Sequence, residues 1–173
     1  MYLYHFSEES DIKRFVPKEK QNIQGMPPLV WAIDQEHEVS YYFPRDCPRI
    51  ILRKTAAATD DQAGNLFAGT TATTIITVES RWYTAIKNTT LYRYVFPRQG
   101  FELFDQTAGY YTSPRTLEPL RVEAMDHLVD RILATGAELR FTDNLYPLRE
   151  AILASGYPDF GIHRFANARA KVE

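Results

Sequence analysis

The chain has 173 residues, 45% of them hydrophobic and 13% aromatic, so it can bury a sizeable core and is not a disordered protein. Its formal net charge of −2 argues against nucleic acid or an anionic membrane as the main partner. The one cysteine excludes an intramolecular disulfide, and no apolar run reaches the roughly 18 residues of a membrane-spanning helix. We therefore expect a cytoplasmic protein without a membrane segment.

The chain opens with a strand and a helix-start signal. Residues 2–6 have the composition of a strand, in which His5 points to the opposite face from its two neighbours. Ser7 is a favourable N-cap, and we predict a short helix after it that Pro17 ends. An imidazole at the end of a half-buried strand, beside the start of a helix, is well placed to bind a ligand, and His5 and Ser7 are candidate ligand-binding residues.

A buried strand and a second capped helix follow. Residues 29–33 form a continuous apolar run, which predicts a strand buried on both faces. Asp34 caps the next predicted helix, which carries Val39 and Tyr42 at helical spacing and ends at Pro44. We expect these elements to form a cleft with the strand that bears His5.

The rest of the chain is predicted from caps, β-branched runs and apolar periodicity. The predicted elements are a strand at 48–53, a capping box at 59–62, strands at 73–78 and 91–96 around a turn capped by Ser80, a hairpin with arms at 110–112 and 120–122, helices at 125–134 and after Asn144, and strands at 138–141 and 162–165.

Strands and short helices are mixed without a regular alternation of strand and helix. This order favours an α+β fold with mixed, mostly antiparallel sheets over a doubly wound parallel sheet. No internal repeat or linker is visible, so we predict that residues 1–173 form a single domain whose C-terminal tail frays from about residue 166 to residue 173.

Common catalytic signatures are absent from the sequence. There is no phosphate-binding glycine loop, no dinucleotide fingerprint and no nucleophile elbow. A metal site built from His5, His37 and Asp34 is geometrically conceivable, but no close ligand spacing supports it, and we predict no metal.

The segment FPRDCPR, residues 43–49, allows two interpretations. Its arginines could lower the pKa of the Cys47 thiol, but a lone cysteine beside an apolar strand is more often a small buried hydrophobe. Arg45 and Arg49 either fix a proline-containing turn through Asp46 or bind an anion such as phosphate. The structural interpretation is favoured, and the anion site stays open.

We expect a nucleotide-like or other aromatic, anionic ligand. Trp31 or Tyr42 would stack on its ring, and Arg45 or Arg49 would neutralise its charge. The alternative is a non-catalytic structural or protein-interaction module whose aromatic residues belong to the core. Burial of Trp31, Tyr42 and Arg45 against internal partners would favour that module.

The opening segment Tyr4-His5-Phe6-Ser7 resembles the first strand of the ADP-ribosyltransferase superfamily, in which an aromatic residue, a His and a Ser or Thr occur together. Residues 29–34, with Tyr42 after them, are similar to the superfamily's second motif. The resemblance implies a split-sheet fold in which His5 binds the adenosine-side ribose of NAD and acts as the candidate acid–base group. Trp31 and Tyr42 would then sandwich the nicotinamide.

The resemblance implies NAD or another nucleotide as the ligand and requires no cofactor. At the position of the superfamily's catalytic Glu, before a late strand, this chain has Gly109. Loss of one such charge-stabilising group lowers a rate on the order of 10²–10³-fold, so we expect weak or no transferase activity. Glu102, Asp105 and Gln106 are the nearby substitutes. The FPRDCPR segment is also similar to that of a small bacterial family without an assigned activity.

Overall fold

The computed structural model describes residues 1–19 and 25–171, and the chain divides into two compact units. The first unit combines Met1–Tyr42 with Thr90–Asp126, and the second combines Phe43–Thr89 with His127–Glu173. Each unit is therefore assembled from two separate stretches of the chain. The predicted α+β class with mostly antiparallel sheets is confirmed. That residues 1–173 fold as a single domain stays a prediction.

Ten strands and four short helices make up the regular structure of the described residues. In chain order the strands are β1 (Tyr2–Ser7), β2 (Val30–Ile33), β3 (Arg49–Arg53), β4 (Thr74–Glu79), β5 (Leu91–Pro97), β6 (Glu102–Asp105), β7 (Tyr110–Ser113), β8 (Arg121–Met125), β9 (Glu138–Thr142) and β10 (Phe160–His163). The helices are α1 (Asp60–Ala63), α2 (Tyr83–Asn88), α3 (Leu128–Ala134) and α4 (Tyr146–Ser155), with 3-10 turns at Glu38–Tyr41, Ser80–Trp82 and Phe165–Asn167.

The first unit is built on a six-stranded antiparallel sheet of order β6-β7-β2-β1-β5-β8. Alternation along β1 sends Leu3 into a core on one face, where it packs with residues such as Val30 and Phe96. Tyr4 enters a smaller cluster on the other face with Ile33. The predicted division of β1 into two faces is thus confirmed by packing.

The second unit is built on a four-stranded sheet of order β10-β3-β4-β9. β4 pairs with β9 in parallel, whereas the other two pairings of this sheet are antiparallel. Ile152 of α4 packs with Ile50 and Ile75 from the sheet, which supplies the hydrophobic core of this unit.

The prediction of a short helix after Ser7 is wrong. Ser7 ends β1, and the following residues run without regular secondary structure. The Tyr94 hydroxyl accepts a hydrogen bond from the Ile12 backbone N–H at 3.1 Å, and Phe15 exchanges backbone hydrogen bonds with Leu117. These long-range partners occupy the backbone groups that a helix would have used.

The second predicted helix is shorter than expected. Asp34 does act as a cap, because its Oδ1 accepts the His37 backbone N–H at 2.9 Å. The chain then makes a single 3-10 turn, Glu38–Tyr41, before it reaches Pro44.

The predicted hairpin between residues 110–112 and 120–122 is also wrong. β7 pairs with β2 on one side and with β6 on the other, whereas β8 pairs with β5. β6 was not predicted, because its residues are all exposed and lack the alternation of a half-buried strand.

Side chains bond backbone N–H groups at the starts of α1 and α4, and part of the C-terminal segment is hydrogen-bonded. Thr59 and Gln62 form a reciprocal capping box at α1, and Asn144 Oδ1 accepts the Tyr146 backbone N–H before α4. Residues 166–171, predicted to fray, include part of a 3-10 turn and the Ala170 carbonyl, which accepts from Asn144 Nδ2 at 2.8 Å. The predicted tail's residues 172–173 lie outside the described residues. In residues 1–19 and 25–171, no helix has the length and apolarity needed to cross a membrane.

We predict that Tyr94→Phe lowers the free energy of unfolding by about 1–2 kcal/mol, because it leaves the Ile12 N–H and the Glu9 carbonyl without their shared partner. Urea unfolding measures this loss, and hydrogen exchange at Ile12 should accelerate. Tyr92→Phe, which removes a hydroxyl from the same strand, serves as the matched control. Equal stability of the two variants would contradict the proposed role of the Tyr94 hydroxyl.

Candidate ligand-binding site

His5 is held by the backbone of the neighbouring strand. Its Nδ1 lies 2.9 Å from the Trp31 carbonyl oxygen, and its ring makes an edge contact with Phe15 at 4.8 Å between centroids. Because a carbonyl oxygen only accepts, the hydrogen is on Nδ1 and the neutral ring has its lone pair on Nε2. The His5 ring is therefore fixed in orientation and in tautomer.

The pairing of β1 with β2 stops beside His5, and we call this gap in the ladder the opening. β1 pairs with β5 along its whole length, from Tyr2 opposite Pro97 to Ser7 opposite Tyr92, but its register with β2 is the single pair Tyr4–Ile33. Beyond that pair the His5 ring, rather than the β1 backbone, bonds the Trp31 carbonyl. The ladder between the two strands is therefore interrupted toward the C-terminal end of β1.

A line of aromatic rings covers one face of the sheet at this opening, and we call it the aromatic row. Its members are Phe104, Trp31, Tyr110, Tyr41 and Phe6. Successive centroids lie 4.8, 5.8, 6.4 and 6.3 Å apart. The Tyr41 and Tyr110 hydroxyls are 2.8 Å apart, and Phe6 and Tyr41 stack with nearly parallel planes. Four of the rings are half-buried, and Phe104 is 48% exposed. Such half-buried rings offer flat apolar surfaces on which a planar ligand can stack.

The structure separates the three residues predicted to form one cleft. His5 points to the face of Leu3 and Phe15, whereas the Trp31 ring lies in the aromatic row on the opposite face. His5 and Trp31 still meet through the Trp31 carbonyl. Tyr42, only 6% exposed, packs on Phe6 at 5.5 Å as an internal ring.

Tyr41 is half-exposed and lies in the aromatic row, whereas the sequence predicted that Tyr42 would stack on a ligand. The two residues are adjacent, and which one faces outward depends on the exact twist of the chain. A 3-10 turn advances about 120° per residue and an α-helix about 100°, so the length and type of the turn decide the choice. The pair Tyr41-Tyr42 was the available signal, but it did not indicate which ring is presented.

A partly buried charge network fixes the turn that carries Tyr41. Arg93 contacts both oxygens of Glu38 at 3.1 and 3.2 Å and donates to Glu123 at 2.5 and 2.8 Å. Its guanidinium also lies 5.0 Å from the centre of the Tyr4 ring. Because the network joins the 3-10 turn to β5 and β8, it holds that turn against the sheet.

The two acids that contact Arg93 have pKa values shifted in opposite directions. Burial raises the pKa of Glu38, although Arg93 opposes that shift. Burial and the adjacent Glu38 charge raise the pKa of Tyr42, whose side chain hydrogen-bonds Glu38. Burial also disfavours the charged form of Glu123, but hydrogen bonds from Arg93 and Arg121 prevail and lower its pKa.

Gly109 lies against the Asp34–His37 pair. Asp34 Oδ1 is 2.7 Å from His37 Nδ1, and a Cβ added to Gly109 would lie 2.2 Å from that nitrogen and 2.7 Å from the carboxylate oxygen. Gly109 also has φ of +69°, which side chains disfavour, and its carbonyl accepts the Asp34 backbone N–H. A glutamate at residue 109 would have to displace this pair.

The substitutes predicted for the missing acid lie on β6 and the turn after it. Asp105 Oδ1 accepts the Ala108 backbone N–H at 3.0 Å, so this carboxylate caps the turn that leads to Gly109. Gln106 accepts the Gly109 N–H through its carbonyl, and Glu102 lines a shallow surface cavity with Arg115. In residues 1–19 and 25–171, no three His, Cys, Asp or Glu side chains are grouped for metal binding.

The remaining predicted site residues have separate settings. Ser7 accepts the Glu9 backbone N–H at 3.1 Å, which makes it a turn residue at the end of β1. In the second unit Arg49 is 4% exposed, donates to the Cys47 carbonyl at 2.9 Å and lies over the Phe43 ring. The ion pair through Asp46 stays a prediction. Arg45 is exposed.

The prediction that Cys47 is a small buried hydrophobe is confirmed. Its side chain is fully buried, and burial raises the pKa of the thiol to about 12. The nearby Arg49 charge acts in the opposite direction but does not overcome burial. Cys47 is therefore protonated near neutral pH and is not a nucleophile.

Comparison with known proteins places the chain in a family. DUF6886, described as a family of unknown function, matches residues 4–168, which include all the candidate residues above. The chain belongs to this family. No curated protein and no solved structure gives a significant match. The family description names no activity, so the geometry of the site is the basis for the function proposed below.

We predict that Gly109→Ala destabilises the protein more than Gly136→Ala does. Both glycines have positive φ, which costs about 1–2 kcal/mol with a side chain, but a Cβ at Gly136 would meet nothing within 4 Å. Displacement of the His37–Asp34 pair should add about 1 kcal/mol or more at Gly109. Urea unfolding of both variants measures the difference. His37→Ala should relieve part of the Gly109→Ala cost, and fully additive effects would contradict the contact.

We also predict opposite pH dependences for the two acids that share Arg93. The pKa of Glu38 is raised by folding, so its contribution to stability is present below the unfolded value of about 4.3 and is lost as pH rises through the folded value. The pKa of Glu123 is lowered, so its contribution is present above about pH 4.3 and is lost as pH falls.

Glu38→Gln mimics the protonated acid and should gain stability relative to wild type as pH rises above about 4.3. The deficit of Glu123→Gln should instead shrink as pH falls below that value. Urea unfolding from about pH 2.5 to pH 7 tests both statements. Changes of the same sign for the two variants would show that the network does not operate as described.

Proposed function

We propose that the first unit binds a small molecule with a flat aromatic ring, of the nucleotide type, where the pairing of β1 with β2 stops, and that it has little or no ability to cleave NAD. The observation that carries the proposal is the aromatic row, whose five rings lie on one face of the sheet with successive centroids 4.8 to 6.4 Å apart. Half-buried rings on a sheet can stack on a planar ligand, and base–aromatic stacking contributes about 1–3 kcal/mol per base.

His5 supports a ligand with a hydroxyl group. Its Nδ1 donates to the Trp31 carbonyl, and in the neutral form of such a ring Nε2 is a hydrogen-bond acceptor, the type of group that a ribose hydroxyl would need. This geometry agrees with the role that the ADP-ribosyltransferase resemblance implies for His5. It also fits the short register between β1 and β2, since the resemblance implies a split sheet.

The absence of an acid at residue 109 supports binding without turnover. Cleavage of the nicotinamide–ribose bond develops positive charge on the sugar, and Gly109 provides no carboxylate to stabilise it. The nearest carboxylate, that of Asp34, is engaged by the His37 ring and the His37 backbone N–H. The Asp105 carboxylate caps a turn.

The main alternative is a protein-interaction module, and one observation favours it. Phe104 and Leu103 are about half exposed on the edge strand β6, where a partner protein could cover them. The two functions differ in what Trp31 senses. A small aromatic ligand would change its fluorescence, whereas the module would leave it unaffected by nucleotides.

We expect NAD, ADP-ribose or AMP to change the fluorescence of a Trp82→Phe variant, in which Trp31 is the only tryptophan. Trp82→Phe is a mild change, because Trp82 Nε1 is buried without a hydrogen-bond partner. Trp31→Leu and Tyr41→Leu should each weaken binding about tenfold or more when binding is followed by calorimetry. Tyr83→Leu, an exposed ring of the second unit, is the matched control.

The same preparations test turnover. Wild-type protein incubated with NAD should release no nicotinamide above the background rate, while it still binds. Turnover that His5→Ala abolishes would overturn the inactive part of the proposal. A flat fluorescence response to all three nucleotides would overturn the binding part.

A further inference from the structure

The edge strand β8 carries a pattern that fits a second copy of itself. β8 ends the six-stranded sheet and pairs only with β5 among the described strands. Its residue Val122 is 44% exposed, and the preceding Leu120 is 58% exposed. An edge strand with exposed apolar side chains is a template for pairing with another chain.

The two faces of β8 differ in chemistry. Val122 lies opposite the core residue Tyr94 on β5, so the apolar side chains continue the core face of the sheet out to its edge. Arg121 and Glu123 occupy the other face and bond each other at 2.7 Å. The strand thus presents a narrow apolar side and a side with one positive and one negative charge.

We propose that two copies of this chain associate through antiparallel pairing of their β8 strands, with the two-fold axis at Val122. In that register Arg121 of each copy lies opposite Glu123 of the other, and the two Val122 side chains meet. Leu120 faces Ala124, which is also exposed. Opposite charges and apolar pairs therefore coincide in one register.

Neighbouring registers lack this complementarity. A two-fold axis at Arg121 or at Glu123 would place like charges directly opposite each other, which is unfavourable. The other edge strand, β6, has two acidic residues and no basic one, so its self-pairing cannot place opposite charges against each other. Pairing of β6 with β8 would be heterologous and would generate an open chain of molecules rather than a closed dimer.

The position of Val122 on the axis gives a sharp test. Val122→Lys and Val122→Glu should each abolish the dimer, weakening association about a hundredfold or more, because like charges then meet at the axis. An equimolar mixture of the two variants should restore a dimer, since the lysine introduced in one copy would face the glutamate introduced in the other. Leu103→Lys, an equally exposed apolar position on β6, is the matched control and should leave the dimer intact.

Size-exclusion chromatography with light scattering at about 100 μM protein measures all five samples. The expected result is a dimer for the wild type, Leu103→Lys and the mixture, and a monomer for each Val122 variant alone. A monomeric wild type, or a mixture that stays monomeric while both variants are folded by circular dichroism, would overturn the proposal. If the Val122 variants do not fold, Arg121→Glu should give the same loss of dimer, and a dimeric Arg121→Glu protein would contradict it.

Discussion

The unequal pairing of β1 is the constraint on which the first unit depends. β1 is bonded to β5 from Tyr2 to Ser7 but keeps one register position with β2. A strand with two full neighbours would bury its backbone and leave no room between strands. Here the Trp31 carbonyl is satisfied by the His5 ring instead, which fixes the imidazole and leaves an opening in the sheet. The candidate site is therefore a consequence of strand pairing.

Arg93 connects this opening to the edge of the sheet. Its guanidinium fork bonds Glu38 on the 3-10 turn that presents Tyr41, and Glu123 on β8. One residue on β5 thus positions a ring of the aromatic row and holds a charged residue of the edge strand. A buried carboxylate is costly unless paired, so the side chains of this turn and of β8 are constrained together through Arg93.

Packing around Gly109 leaves no space for a side chain. The ADP-ribosyltransferase resemblance implies an acid there, but the Asp34–His37 pair fills the space where a side chain would begin. The positive φ of Gly109 lets the chain turn into β7 at close range to this pair. The local packing therefore requires glycine, independently of any loss of catalysis.

The sequence by itself determined the features that depend on near neighbours. Thr59 forms the predicted capping box at α1, and Asp34 and Asn144 accept backbone N–H groups in the turns before their helices, because such contacts need a side chain within three residues of the N–H. Alternation along β1 likewise separated His5 from its aromatic neighbours.

Only the tertiary structure decided which strands meet. β7 and β8 have the patterns of hairpin arms, yet β7 pairs with the neighbouring β6 and the distant β2, and β8 pairs with β5. An alternating pattern specifies a buried face and not a partner. The helix predicted after Ser7 does not form for the same reason. The Tyr94 hydroxyl, about eighty residues away in the chain, hydrogen-bonds the Ile12 N–H and the Glu9 carbonyl. Local propensity is worth tenths of a kcal/mol per residue, and a long-range hydrogen bond in a packed core outweighs it.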